Sequence, residues 1–182
     1  TRVLAVADIL GADEPYLPGR ILAAPVELGD GWLYLGTYRG TDSLGAGTQG
    51  YTGDWLLRWQ MAEHRAEKLG IPVPGGGISF LAGQPASKRL YGLAQALRAE
   101  DGPARFFVYD PEKRSLVLEE SPTAGPSRAL LLNSEGRAWF ESQGRILRYA
   151  REENTVVRLN ARLPVSGSLR AATPVGVDHR AW

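Results

Sequence analysis

The sequence predicts an all-β fold: a β-propeller built of four-stranded antiparallel blades and forming a partial ring. Three observations predict it. A strand with an aromatic in it recurs every 43 to 57 residues, and a second apolar strand follows each of the first three copies. Turns rich in Gly, Asn and Asp cut the chain into apolar runs too short for helices.

The recurring strand reads Trp32-Leu33-Tyr34-Leu35-Gly36, then Arg89-Leu90-Tyr91-Gly92-Leu93, then Arg137-Ala138-Trp139-Phe140, with Arg180-Ala181-Trp182 as a fourth. Its aromatics Tyr34, Tyr91, Trp139 and Trp182 are 57, 48 and 43 residues apart. The following strand reads Leu56-Leu57-Arg58-Trp59, Phe106-Phe107-Val108-Tyr109 and Ile146-Leu147-Arg148-Tyr149. After a polar turn, a further strand ends at Leu69, Leu118 and Leu159, at offsets of 10, 9 and 10 from the preceding aromatic. An apolar run and a turn also precede each unit: residues 21–28, 78–82, 129–132 and 169–175. The unit is therefore strand, turn, strand, loop, strand, turn, strand, the pattern of a blade. Only 54–69 could be argued as an amphipathic helix, and its agreement with the other two copies makes it a hairpin. Aromatics at fixed register are expected to pack between blades rather than hold a cofactor.

This register divides the chain. Residues 1–10 read as the last strand of a preceding blade. Complete blades follow over 20–73, 76–122 and 127–164, and 169–182 supply the first two strands of a further blade. The incomplete terminal units point to a fragment of a ring of roughly six to eight blades. A chain opening on Thr1 without a basic-then-apolar leader fits a processed or internally cut start.

Composition narrows the function classes. Apolar residues are 43% and charged residues 23%, a globular profile. Lys plus Arg number 21 against 20 acids, so no nucleic-acid partner is expected. No apolar run is long enough for a membrane span. Cysteine is absent, which removes disulfide staples, thiolate metal sites and a cysteine nucleophile.

The stretches Leu69-Gly-Ile-Pro-Val-Pro-Gly, Arg89-Leu-Tyr-Gly-Leu, Phe106-Phe-Val-Tyr-Asp-Pro and Ser127-Arg-Ala-Leu resemble bacterial propeller repeats of the broad WD40/YVTN-like and quinoprotein-like group. The resemblance covers nearly the whole chain and implies the propeller fold. The group includes lyases, lactonases, dehydrogenases and binding scaffolds, so it does not imply one activity. The Trp-docking signature of quinoprotein repeats and WD dipeptides are missing; no cofactor is expected. The resemblance to exported bacterial propellers leans localisation toward the periplasm or extracellular space.

Ligand sites are expected on the face carrying the strand-two-to-three and blade-to-blade loops. Two of these loops are long, 37–53 and 94–104. The first and its exit bring together Tyr38, Arg39, Asp42, Tyr51, Asp54 and Trp55, which could stack on and hydrogen-bond a saccharide or small molecule, or form no more than a solvated insertion. It is Gly-rich but lacks GxxxxGK[ST], so phosphate cradling is not expected. Arg128 and Arg170 lie 42 residues apart, each opening an innermost strand, and Arg20 holds nearly the same place in the first blade. Such arginines would ring the channel mouth, either to take an anionic ligand such as a uronic-acid saccharide or to pair with acids of adjacent blades. His64 and His179 fall in tight turns on the opposite face, too few for a metal site or a Ser-His-Asp set. Asp42 and Asp54 could serve carboxylate chemistry or stand solvated. The expectation is a ligand- or partner-binding propeller repeat protein, taking an anionic small molecule, a saccharide or a protein. The alternative is a propeller-fold lyase or hydrolase acting on an acidic sugar or lactone.

Overall fold

Turn chemistry sets the strand breaks. The computed structural model describes residues 6–11, 20–39, 51–96, 103–121, 127–133, 135–142, 144–162 and 171–174. In it the first two strands of each sheet are joined through a left-handed residue: Gly31 (φ 77), Lys88 (φ 50) and Gly136 (φ 77). The hairpin joining the last two strands ends on another, His64 (φ 53), Arg114 (φ 51) or Asn154 (φ 49). A left-handed residue in a tight turn lets the chain reverse with the twist of the flanking strands.

The first sheet opens with a broken inner strand, β1 (Arg20–Ile21) and β2 (Val26–Glu27), both antiparallel to β3 (Trp32–Tyr38). Pro25, which has no N–H to give a ladder, lies in the break. β4 (Leu56–Gln60) and β5 (Arg65–Gly70) complete it, so 54–69 holds a hairpin and no helix. The second sheet runs β6 (Gly76–Gln84), β7 (Arg89–Ala96), β8 (Arg105–Asp110) and β9 (Ser115–Glu120). The third runs β10 (Ser127–Leu132), β11 (Ala138–Ser142), β12 (Arg145–Ala150) and β13 (Thr155–Arg162). The all-β architecture is that of a partial propeller: three blades in series, not closed into a ring among the described residues.

Two apolar cores alternate with the three blades. Tyr34, Leu56, Ile78, Leu90, Phe107 and Tyr109 bury the boundary between the first and second blades. Tyr91, Phe106, Leu130, Phe140, Leu147 and Tyr149 bury the boundary between the second and third. Phe106 stacks on Phe140 at 4.7 Å across that boundary. In the middle blade successive residues point to opposite cores, Leu90 to one and Tyr91 to the other, so no face is left for polar alternation. Spacing between sheets is set in part by glycine: a Cβ on Gly36 would stand 2.4 Å from Ile78 Cγ2 of the next blade. The aromatics Tyr34, Tyr91, Tyr109 and Tyr149 pack between blades, whereas Trp139 faces away from the second blade and is half-buried.

Two readings of the ends need correction. Over Val6–Leu10 the chain is a short helix, α1, packed against β5, and not the strand expected for 1–10. Val6, Ile9 and Leu10 have the i, i+3, i+4 spacing of a helix face, and Leu10 is buried. Among the described residues β14 (Ala171–Pro174) opens no sheet of its own. It pairs parallel with β10, from Ala129↔Ala171 to Leu132↔Pro174. Inner strands of successive blades run in the same direction, and the inner edge of β10 offers unpaired backbone groups that β14 takes up. The expected second strand at 180–182 lies outside the described residues.

Candidate functional site

The loop face is built around a buried carboxylate. β3 ends at Tyr38 and β4 begins at Leu56, and the returning segment Tyr51–Trp55 is strapped between the first and second blades. Its backbone is pinned on both sides: Thr37 N–H donates to the Trp55 carbonyl, Asp54 N–H to that of Gly76, and Gly75 N–H to that of Thr52, each at 2.9 Å. Gly53 is left-handed there (φ 130), and a Cβ would stand 2.5 Å from Ile71 Cγ2.

Asp54 is fully buried. Its carboxylate accepts from the Thr37 hydroxyl at 2.7 Å, the Arg39 backbone N–H at 2.9 Å and the Tyr51 hydroxyl at 2.7 Å. Thr37 Oγ1 in turn accepts from Trp55 N–H at 2.8 Å. Three donors on one buried carboxylate satisfy it without a solvent shell. Asp54 thus ties both ends of the long loop together. Buried and bonded in this way, it fixes the Tyr51 hydroxyl and the Arg39 backbone.

Around this hub the side chains flagged in the sequence come together. The Arg39 guanidinium is buried and lies 5.8 Å from the Tyr51 ring centroid. Arg20 sits 5.7 Å from the Tyr38 ring, across the β1–β3 pair. Lys68 Nζ is 4.8 Å from the Trp55 ring, whose Nε1 is buried and has no hydrogen-bond partner among the described residues. Asp42 and Arg170 lie outside the described residues. Arg128 stands in β10, at the expected opening of an inner strand, but its side chain is also outside them.

Beside the strap is a cleft of about 320 Å³ lined by Tyr51, Val73, Pro74, Gly75, Gly76, Ala94, Ala96, Pro103 and Arg105. Described residues at the ends of the two long loops flagged in the sequence line it together. Tyr51 comes from the first, while Ala94, Ala96 and Pro103 border the second. The floor is small because it must be: a Cβ on Gly76 would press on Val73 and Ala94 at 3.0 and 3.1 Å. Arg105 brings a guanidinium to the cleft, ion-paired with Glu119. Sequence reasoning missed Arg105 and the Val73–Gly76 connection. The run Ile71-Pro-Val-Pro-Gly-Gly-Gly was legible as a blade boundary, but not as a binding wall.

His64 lies at the opposite end, in the β4–β5 turn, with its ring edge-on to Trp59 at 5.8 Å. Among the described residues no group of three or more His, Asp or Glu is arranged to hold a metal, and no helix is long and apolar enough to cross a membrane.

No protein-family model matches the chain, and no curated relative matches it by sequence. Solved structures do match it by fold. A chain of the mitotic checkpoint complex is similar at TM-score 0.50 and 14% identity, over 81% of this chain and 43% of that one. The extracellular domain assigned to a one-component system of B. thetaiotaomicron is similar at TM-score 0.53 and 15% identity, over 90% of this chain and 20% of that one. This chain therefore spans less than half the length of either. At such identities the likeness carries the fold alone.

Proposed function

We propose that this chain is a ligand-binding propeller module of the bacterial WD40/YVTN-like type, taking an acidic saccharide at the cleft between its first two blades. The observation that carries this reading is that Tyr51, at the end of one long loop, and Arg105, just after the other, line one cleft. An aromatic face beside a guanidinium suits a sugar ring that bears a carboxylate, through stacking and a charge-assisted hydrogen bond. The backbone walls are pinned before any ligand arrives, which lowers the ordering cost of binding. Arg128 and Arg170 belong to the same proposal through their one-blade spacing in the sequence, which suits an anionic ligand.

Calorimetric titration with a uronic-acid oligosaccharide and a neutral one of equal length tests the proposal. Acidic binding that is lost in Tyr51→Ala and Arg105→Gln, with circular dichroism unchanged, supports it. Equal binding of both sugars, or none of either, overturns it. Arg128→Ala and Arg170→Ala should weaken the acidic ligand less than Tyr51→Ala does.

A further inference from the structure

Arg105 is the charged side chain among the described residues that line the cleft, and it already holds an acid of its own blade. It opens β8, and Glu119 lies on the neighbouring strand β9, opposite Phe107. Residues 105 and 107 share one side of β8, so Arg105 and Glu119 leave the same face of the blade. Phe107 packs in the core between the first and second blades, which turns that face toward the first blade and the cleft. The contact runs from one guanidinium nitrogen, Nη1, to one carboxylate oxygen, Oε1. A guanidinium carries five donors in a fork, so a single contact leaves donors for a second acid.

The pair differs from those that hold the fold. Glu67 joins two blades by taking Arg58 of the first and Arg114 of the second. Asp110 is buried, pairs with Arg89 and accepts the N–H groups of Glu112 and Lys113 in its turn. Arg105 and Glu119 sit within one blade, and their side chains are 40% and 23% exposed. Such a solvated pair is weak enough for another acid to displace or share.

We propose that Glu119 is a built-in competitor for Arg105. Without a ligand it holds the guanidinium, and an acidic ligand binds by taking donors from it or by settling beside its carboxylate. Either route lessens the ligand's attraction to Arg105, the second through repulsion between like charges. A neutral sugar meets no such opposition. Glu119 therefore sets how strongly the cleft prefers an acidic saccharide to a neutral one, from a position behind the lining residues. This role rests on the acidic-saccharide reading of the cleft.

Calorimetric titration of Glu119→Gln with the uronic-acid oligosaccharide, beside the wild type, tests the role. Gln keeps the size and removes the charge, so acidic affinity should rise about three- to fivefold, the scale of an exposed ion pair. Affinity for the neutral oligosaccharide should not change. Glu119→Ala should match Glu119→Gln, with circular dichroism checking the fold of each. Glu112→Gln makes the same change in net charge in the exposed turn at the far end of the blade, and should leave both affinities alone. Acidic binding that is unchanged or weaker in Glu119→Gln overturns the inference and leaves the reading of the cleft standing. An equal gain in Glu112→Gln does the same. Absence of acidic binding in every one of these proteins overturns that reading, and the inference with it.

Discussion

The Tyr109 hydroxyl donates a 2.8 Å hydrogen bond to the Leu69 carbonyl oxygen, joining the second blade to the outermost strand of the first. Both residues are buried, and burial pushes the Tyr109 phenol above its ordinary value, so it remains a donor at neutral pH. Blades stack mainly by apolar burial, which has no direction. This bond supplies a fixed register for one blade on the next.

Tyr109→Phe removes the donor but keeps the ring. The Leu69 carbonyl then loses its partner at a boundary closed to water, at an expected cost of about 1–3 kcal/mol. Urea unfolding should show a lower midpoint at unchanged slope. A midpoint that does not move would mean that water or a neighbouring group replaces the phenol.

Asp54→Ala strips three donors of their shared acceptor, and we expect about 2–4 kcal/mol of destabilisation. The loop end should loosen before the blades do. Limited proteolysis should therefore cut the Tyr38-to-Trp55 connection faster while the β6–β9 sheet stays protected. Thr37→Val removes one of the three donors, and also the acceptor for Trp55 N–H, and should fall between wild type and Asp54→Ala.

Glu67 is held below its ordinary value of 4.5, first by its hydrogen bond from Arg58 and then by the nearby charges of Arg58, Arg114 and Arg65. The sign follows from linkage. A carboxyl with a depressed folded pKa contributes stability above the unfolded value, and loses it as pH falls through the folded one. Stability should thus decline from about pH 4.5 downward. Glu67→Gln should be weaker at pH 7 and show a shallower decline over the same window. Parallel pH profiles for the two proteins would remove Glu67 from the blade boundary's electrostatics.

Much of the architecture was legible because blades repeat. Tyr34 and Tyr91 recur at one register, and Trp59, Tyr109 and Tyr149 at another, because each copy meets the same packing problem. The chain's ends were less legible for the same reason. Val6–Leu10 has no repeat-mates to arbitrate between strand and helix, and β14 could be assigned to its own sheet only if other strands were there to pair with it.

The candidate site divides along a similar line. Local sequence marked both long loops, because runs of Gly and polar residues cannot sit inside a blade. It could not tell that Asp54 faces inward, since an acid in a loop reads the same whether it meets water or three donors. Nor could it place Arg105 beside Tyr51, residues from different blades.

What the sequence determined by itself is periodicity: strand, turn and aromatic spacing, each fixed by near neighbours along the chain. What only the tertiary structure decided is adjacency. Which residues share a cleft and which carboxylate is buried depend on the stacking of blades, and that depends on contacts between residues far apart in the chain.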